Sequence, residues 1–470
     1  MESVVTKQAD SLSVVVSRTL FKAYDIRGDS TILLTPVVMQ RIGYAFGRHL
    51  MAQGDPQVII GRDGRLSSPV LCQATIEGLV ASGCHVVDIG LVPTPLVNFA
   101  CDYLGVKNSV MVTASHNPTN DNGLKLTVAR LPFCGEALMA LFDRVHDTPK
   151  NHHLSGRYQT ASIHDAYIAF VQQAINRRLP YKVVVDCGHG AASTVTPQVL
   201  TALGCQVIPL YCTVDGHFPA HHPNPSEPDN MLALQKSVIQ HQADIGFAFD
   251  GDGDRLGVVD HAGNIVWPDR VLMVLARALL KRHPHRTVLW DIKSSNLLPD
   301  VIRSAGGYPL MCRSGYAPLR QKMIQTGALL AGEMSGHILF SDSPSGIDDA
   351  TYTACRLLQH YAQQNAKTIS WHNVPQQVST PEIIVTLPHG IAQQWLRQFV
   401  DMAQFEGAKL CTIDGLRVDF TDGWGIVRCS NTTPSLVFRF EATEQHALRR
   451  IQQAFKRYIV QILPAISVPF

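Results

Sequence analysis

Residues 56–90 read PQVIIGRDGRLSSPVLCQATIEGLVASGCHVVDIG. A short Val/Ile-rich run opens this stretch, and a polar loop with two serines follows. A Leu/Ile/Val-bearing segment long enough for a helix comes next, then a glycine stop at Gly83, then a second apolar run from His85. Continuous apolar runs of four or five, separated by a helix, belong to strands buried on both faces, as in βαβ units.

Two later stretches repeat the plan: YKVVVDCGHGAASTVTPQVLTALGCQVIPL from Tyr181 and RTVLWDIKSSNLLPDVIRSAGGYPLMC from Arg286. Copies about a hundred residues apart are too widely spaced for a solenoid. They predict three similar mixed-sheet α/β domains in tandem. The last ninety or so residues differ. Pro381–Leu387 and Leu436–Ala442 alternate apolar and polar, with helical stretches at 392–404 and 443–462. That mix predicts a smaller C-terminal α+β domain with an antiparallel sheet. The expected domains are residues 1–163, 164–264, 265–377 and 378–470, in keeping with a length of 470 residues.

Composition excludes several classes. Apolar residues make up 46% and charged residues 17%, enough to build a large core. A net charge of +2 gives no global field for nucleic acid or an acidic membrane. The eleven cysteines form no CxxC pair and read as reduced, mostly buried thiols. Residues 1–20 hold no apolar run of signal-peptide length, and the greasiest stretch, Val271–Leu280, is short and carries Arg277. The expectation is a cytoplasmic, soluble chain.

Four polar loops carry the chemistry. In VMVTASHNPTNDNGLK, Ser115 stands just past a strand end, where reactive groups of α/β domains gather. It has no GxSxG elbow and no SxxK, so acyl-transfer templates fail. Lys125, past the Asn122-Gly123 turn, can fold back as a cation for an anionic group. His116, adjacent in sequence, is expected to point away from Ser115. A loop that only caps its strand is the plain alternative.

The second loop, DGDGDR, sets Asp250, Asp252 and Asp254 at period two. Three converging carboxylates need a cation, and all-oxygen ligation indicates Mg²⁺ or Ca²⁺. An EF-hand is excluded, because Arg255 and His261 stand where Gly and Glu are required. Three carboxylates leave positions on an octahedral ion for water and a phosphate oxygen, the usual Mg²⁺ arrangement. Arg255 adds a phosphate-directed fork. A solvated acidic loop is the bland reading.

The third loop, GEMSGH, offers Glu333 and Ser335 for vicinal sugar hydroxyls and His337 for proton transfer, or else is a capped turn. In the fourth, RCSNTTP, Arg428, Ser430, Asn431 and Thr432 suit a phosphate dianion, although the composition is also that of a common turn. Gly188-His-Gly190 hints at a dinucleotide turn, but Ser193 replaces the third glycine, and no Walker A lysine occurs. A serine, a Mg²⁺ loop and a separate phosphate clamp point to phosphoryl transfer on a substrate that already carries a phosphate.

The motifs FKAYDIRG (from Phe21), GRDGR (Gly61), TASHNP (Thr113), DGDGDR (Asp250), GEMSGH (Gly332), RCSNTTP (Arg428) and the terminal VPF resemble those of the α-D-phosphohexomutases, most of all the bacterial phosphomannomutase/phosphoglucomutase branch. The resemblance spans essentially the whole chain. It implies four domains around a central cleft and a phosphoserine at Ser115. It implies Mg²⁺ held by Asp250, Asp252, Asp254 and that phosphoserine. It also implies a hexose 1,6-bisphosphate intermediate between hexose 1- and 6-phosphates. Glu333 and Ser335 would grip sugar hydroxyls. Arg428, Ser430, Asn431 and Thr432 would hold the non-reacting phosphate, with Lys293 on the phosphosugar. Tyr24 and Arg27 would line the cleft wall. His116, Lys125, Arg255 and His337 would supply charge and proton transfer. Met334 favours glucose and mannose phosphates, where a glutamine would have suggested glucosamine phosphate. Tyr316 stands where relatives carry histidine, and is expected to contact substrate as a longer, neutral group. The partner is a phosphosugar, with no nucleic acid or membrane, and the expected state is a monomer. The alternatives are a phosphoglucosamine mutase, a non-catalytic phosphosugar binder, and a phosphatase that drains the phosphoserine to water.

Overall fold

The computed structural model describes residues 15–146, 156–341, 348–366, 368–388, 390–430, 433–462 and 468–470. Residues 1–14, most of the stretch read for a leader, lie outside these, as do Asn431 and Thr432.

Four sheets form. In the first, strands run in the order Ile26–Asp29, Asp121–Val128, Ser109–Val112, Gln57–Arg62, His85–Leu91, Arg157–Thr160, with Leu131–Pro132 alongside Asp121–Val128. The second is ordered Ile265–Val266, Leu256–Asp260, Ile245–Phe249, Lys182–Asp186, Gln206–Leu210. The third is ordered Tyr308–Cys312, Thr287–Asp291, Leu330–Gly332, Ile338–Phe340. The repeated strand–helix–strand units supply adjacent parallel strands in all three. Val58–Ile60 and Val183–Val185 are fully buried, which is why they read as continuous apolar runs.

Each sheet then adds a third parallel strand that turns back antiparallel, and the turn carries one of the polar loops. Ser109–Val112 returns as Asp121–Val128, with Ser109 opposite Thr127. Ile245–Phe249 returns as Leu256–Asp260, with Phe249 opposite Leu256. Leu330–Gly332 returns as Ile338–Phe340, with Gly332 opposite Ile338. The fourth sheet is antiparallel, and its loop joins Gly423–Cys429 to Ser435–Ala442 in the same manner. Gly188-His-Gly190 leads not into a dinucleotide helix but into a 3₁₀ turn, Ala191–Thr194, and a short helix, Thr196–Ala202.

One apolar core passes through the first three layers. Phe99 on helix Thr94–Leu104 meets Tyr167 on helix His164–Ile175 edge to face, centroids 5.3 Å apart. Phe170 stacks on Tyr352 of helix Ala350–Gln363. Such pairs add about 0.5–1.5 kcal/mol beyond their buried area. The run Val271–Leu280 lies in the buried helix Pro268–Arg282. The fourth sheet docks on the third through buried arginines. The Arg417 guanidinium lies 3.8 Å from the Trp424 ring centroid and donates to the carbonyls of Ile292 (2.7 Å) and Ser294 (2.9 Å). Arg439 donates to the carbonyl of Lys293 and to Asp269.

Candidate active site

The four hairpin tips meet around one cavity of about 530 Å³. Its wall includes Tyr24, Arg27, Ser115, His116, Lys125, Asp254, Arg255, Lys293, Tyr316, Glu333, Ser335, His337, Arg428 and Ser430. Asp250 and Asp252 sit directly behind that wall, fully buried.

Ser115 adopts φ +53°, a left-handed conformation that an ordinary side chain adopts only when its surroundings dictate it. Three bonds fix it. Its N–H donates to Thr113 Oγ1 (2.8 Å), its carbonyl accepts from Arg65 Nη2 (2.8 Å), and its hydroxyl donates to Asp250 Oδ2 (2.7 Å). The same backbone twist brings His116 Nδ1 within 3.1 Å of Ser115 Oγ, contrary to the expectation that the neighbouring ring points away. Burial, and then the charge of Arg255, push the His116 imidazole well below its ordinary value, so it is neutral at pH 7.

Asp250 Oδ1 accepts from the N–H groups of Asp254 and Arg255 (both 3.1 Å), which curls the loop around its own carboxylates. Lys125 Nζ donates to Asp252 Oδ2 (2.7 Å) and Asp254 Oδ2 (2.5 Å). Burial alone would lower this ammonium, but Asp252 and Asp254 outweigh it and raise it, so Lys125 stays charged. Burial raises Asp250 well above the usual carboxylate range, and the charges of Asp254 and Asp252 add to this; Asp252 is held down by Lys125 against its burial. One lysine does not neutralise three buried carboxylates. Asp252 Oδ1 and Asp254 Oδ1 are buried without a hydrogen-bond partner, and the three carboxylates lie within 4.8 Å of one another. A hard, all-oxygen donor set with two orphaned oxygens fits a divalent cation.

Across the cavity, Glu333 Oε1 accepts from the Gly315 N–H (2.6 Å), and Ser335 Oγ is buried with no partner. Gly315 has φ +124°, and a Cβ there would fall 2.7 Å from the Tyr24 ring, so only glycine serves. His337 Nδ1 donates to Asp348 (2.9 Å) while Nε2 accepts from Arg255 Nε (3.1 Å). Burial opposes the charged imidazole, but Asp254 and Asp348 outweigh it and raise its pKa. A second proton at Nε2 therefore requires Arg255 to turn away toward the cavity. The Tyr316 ring lies 6.4 Å from that of His337, and burial pushes its phenol up, so it is neutral. Arg428 Nε donates to Asp414 (3.0 Å), whereas its Nη2 is buried and unpartnered. Ser430 Oγ accepts from Thr433 N (3.2 Å). Lys293 donates to Glu382, and Arg27 to Asp25, Ala114 and Asn117.

Sequence reasoning gave no role to several residues that build this site. Arg65, fully buried, donates to the carbonyls of Ser115, Asn117, Pro118, Thr119 and Asp121. Asp63 pairs with Arg65 and accepts from Ser68 and Thr113. Thr94 bonds Asp252 through both hydroxyl and N–H. The one sequence signal for the first two was GRDGR, charged residues directly after an apolar strand.

Four family models match in order. They describe phosphoglucomutase/phosphomannomutase alpha/beta/alpha domains I, II and III (residues 18–143, 165–263 and 267–376) and the C-terminal domain (389–457). The chain belongs to the phosphoglucomutase/phosphomannomutase family. A phosphomannomutase/phosphoglucomutase of Pseudomonas syringae is 44% identical over 98% of this chain and 99% of its own. That of Pseudomonas aeruginosa PAO1 is 43% identical over 96% and 98%. A phosphoglucomutase/phosphomannomutase family protein of Burkholderia thailandensis superposes with a TM-score of 0.90 at 40% identity, over 97% of this chain and all of the other. Among the described residues, no helix is long and apolar enough to cross a membrane.

Proposed function

We propose that this enzyme is a phosphohexomutase that moves phosphate reversibly between the 1- and 6-positions of mannose or glucose, through a phosphoserine at Ser115 and a hexose 1,6-bisphosphate. One observation carries the reading. A hydroxyl held against buried carboxylates and a distant anion cradle share one cavity, although they rise from the first and the fourth sheet.

In this scheme phosphorylated Ser115 donates to the free sugar hydroxyl. The Oγ–P bond breaks and a sugar O–P bond forms. Arg428 and Ser430, with Asn431 and Thr432, hold the other phosphate, and Lys293 contacts it. Glu333 and Ser335 fix the ring by its hydroxyls, while Tyr24, Arg27 and Tyr316 close the walls. His337, oriented by Asp348, takes the hydroxyl proton, and Lys125 and Arg255 balance charge on the transferring oxygens. Neutral His116 sits within reach of the Oγ proton. The bisphosphate then turns round, and Ser115 takes back the other phosphate. Asp250, Asp252 and Asp254 would hold Mg²⁺ together with the phosphoserine, and the ion supplies charge neutralisation on those oxygens. Eleven free cysteines support a cytoplasmic location, and a near-zero net charge supports the reading without nucleic-acid or acidic-membrane partners.

Ser115→Ala tests this. Conversion of glucose 1-phosphate in the presence of glucose 1,6-bisphosphate should fall roughly 10³-fold or more, and intact mass should lose the single phosphate of the Ser115 peptide. Undiminished turnover would sink the proposal. Steady release of inorganic phosphate without isomer would favour a phosphatase.

A further inference from the structure

Strands Lys182–Asp186 and Gln206–Leu210 run parallel, with Asp186 opposite Leu210. Their chain ends carry two cysteines that the proposed reaction does not use. Cys187 and Cys212 have their sulfurs 3.4 Å apart. Cys187 is fully buried, while Cys212 is half-buried and is the more exposed of the two. The contact with Cys187 lowers the Cys212 thiol, and burial pushes Cys187 well above its ordinary value. Cys212, the more exposed and the more acidic of the two, is thus the attacking thiol of the pair.

This pair lies at the foot of the metal-binding loop. Gly190 N donates to Cys187 O (2.7 Å), closing a turn in which Gly188 and His189 have φ +50° and +60°. The next amide, Ala191 N, donates to Gly251 O (3.0 Å), and a Cβ on Gly190 would stand 2.8 Å from that same oxygen. On the other side, Asp186 accepts from His221 (3.0 Å), and the adjacent His222 donates to the carbonyl of His116 (2.5 Å). Hydrogen bonds thus tie the turn after Cys187 to the aspartate loop, and Asp186, its chain neighbour, to the Ser115 loop through His221 and His222.

We propose that Cys187 and Cys212 are a redox modification site, joined reversibly into a disulfide by a small-molecule disulfide of the glutathione type, which slackens the loop beneath Gly251 and lowers turnover. The sulfurs must close by about 1.4 Å to reach a bond of about 2.05 Å, and the turn at 188–189 moves with them. The Cys212 thiolate attacks one sulfur of the oxidant and expels one small thiolate. Cys187 gives up its proton and attacks the mixed disulfide at Cys212, expelling the second. Two protein thiols become one disulfide, and the oxidant leaves as two reduced thiols carrying the two electrons and two protons.

The test uses the full chain in glutathione buffers of rising oxidised fraction, digested without reductant and read by mass spectrometry. A linked peptide pair joining Cys187 and Cys212, two hydrogens lighter than the free thiols, is expected. Glucose 1-phosphate conversion should fall at least fivefold in step with it, and dithiothreitol should restore both. Cys212→Ala should keep the starting rate and resist the oxidant, which separates this pair from the half-buried Cys134, Cys411 and Cys429. No linked peptide in the most oxidising buffer, a linked peptide with unchanged rate, or equal inactivation of Cys212→Ala would each overturn the proposal. Should the chain convert no sugar phosphate at all, the linked peptide still decides whether the site exists.

Discussion

The two sides of the cleft are finished to different degrees. On the side of Ser115 and the aspartates, protein groups bond chiefly to one another, and the carboxylate oxygens left over, Asp252 Oδ1 and Asp254 Oδ1, are acceptors suited to a cation, with Arg65 Nε the one donor without a hydrogen bond. Arg65 binds five carbonyls between Ser115 and Asp121, Thr94 and Lys125 bind Asp252, and Asp250 binds Ser115. On the side of Glu333 and Arg428, buried donors are left over: Ser335 Oγ and Arg428 Nη2 have no partner. A reacting centre gains from being rigid before substrate arrives, because electrostatic stabilisation then requires no rearrangement at the moment of reaction. A recognition surface gains from polar groups that only the right ligand satisfies, since a poor ligand leaves them buried and unmet.

The sharpest way to break this contrast is on the finished side. Arg65→Met removes the brace of the serine loop and leaves Asp63 buried without its partner. It should lower stability by about 3–5 kcal/mol in urea unfolding, with turnover reduced at temperatures where the protein stays folded. Full activity in such a variant would mean that the loop does not depend on Arg65.

The seam between the second and third layers is next. Asp349 accepts from Tyr167 Oη (2.6 Å) and caps helix Ala350–Gln363, and burial raises its carboxyl to about 6. The folded state then holds this proton more tightly than the unfolded chain does. Stability is lost as pH rises from about 4 through about 6, by about 3 kcal/mol at most. Asp349→Asn cannot titrate, so melting curves at pH 4.5 and 7 should show the gap between variant and wild type moving in the variant's favour at the higher pH. A constant gap would place the pKa elsewhere.

On the unfinished side the effects are smaller and fall on binding. Arg428→Leu should raise KM roughly 10- to 100-fold, from about 1.5–3 kcal/mol of charge-assisted hydrogen bonding, with kcat much less affected. The weakest change is the most telling. Ser335→Ala removes a hydroxyl that has no partner until substrate binds. The free protein should keep or slightly gain stability, while kcat/KM drops roughly 2- to 10-fold. A loss of stability without loss of activity would mark Ser335 as structural.

The four loops were legible in sequence because each packs charged or hydroxyl residues directly after an apolar strand, a pattern foreign to a core position. The repeated strand–helix–strand units were legible because parallel strands buried on both faces lose their alternation. The braces were not. Thr94, Glu382 and Asp414 reach their partners only through strand pairing and domain contacts, and nothing in their own neighbourhoods announces them; Arg65 had only the charged run GRDGR after its strand. His116 was misread for a related reason: the expected direction of its ring assumed an ordinary backbone at Ser115, and that residue is left-handed.

All four working loops are bends where a strand doubles back on its own neighbour. Both legs of such a bend stay zipped into their ladder whatever the bend contains. Residues at the apex can be swapped, inserted or deleted while the layers beneath keep their shape. A protein assembled this way can retune what it grips, one fingertip at a time, without relearning how to fold.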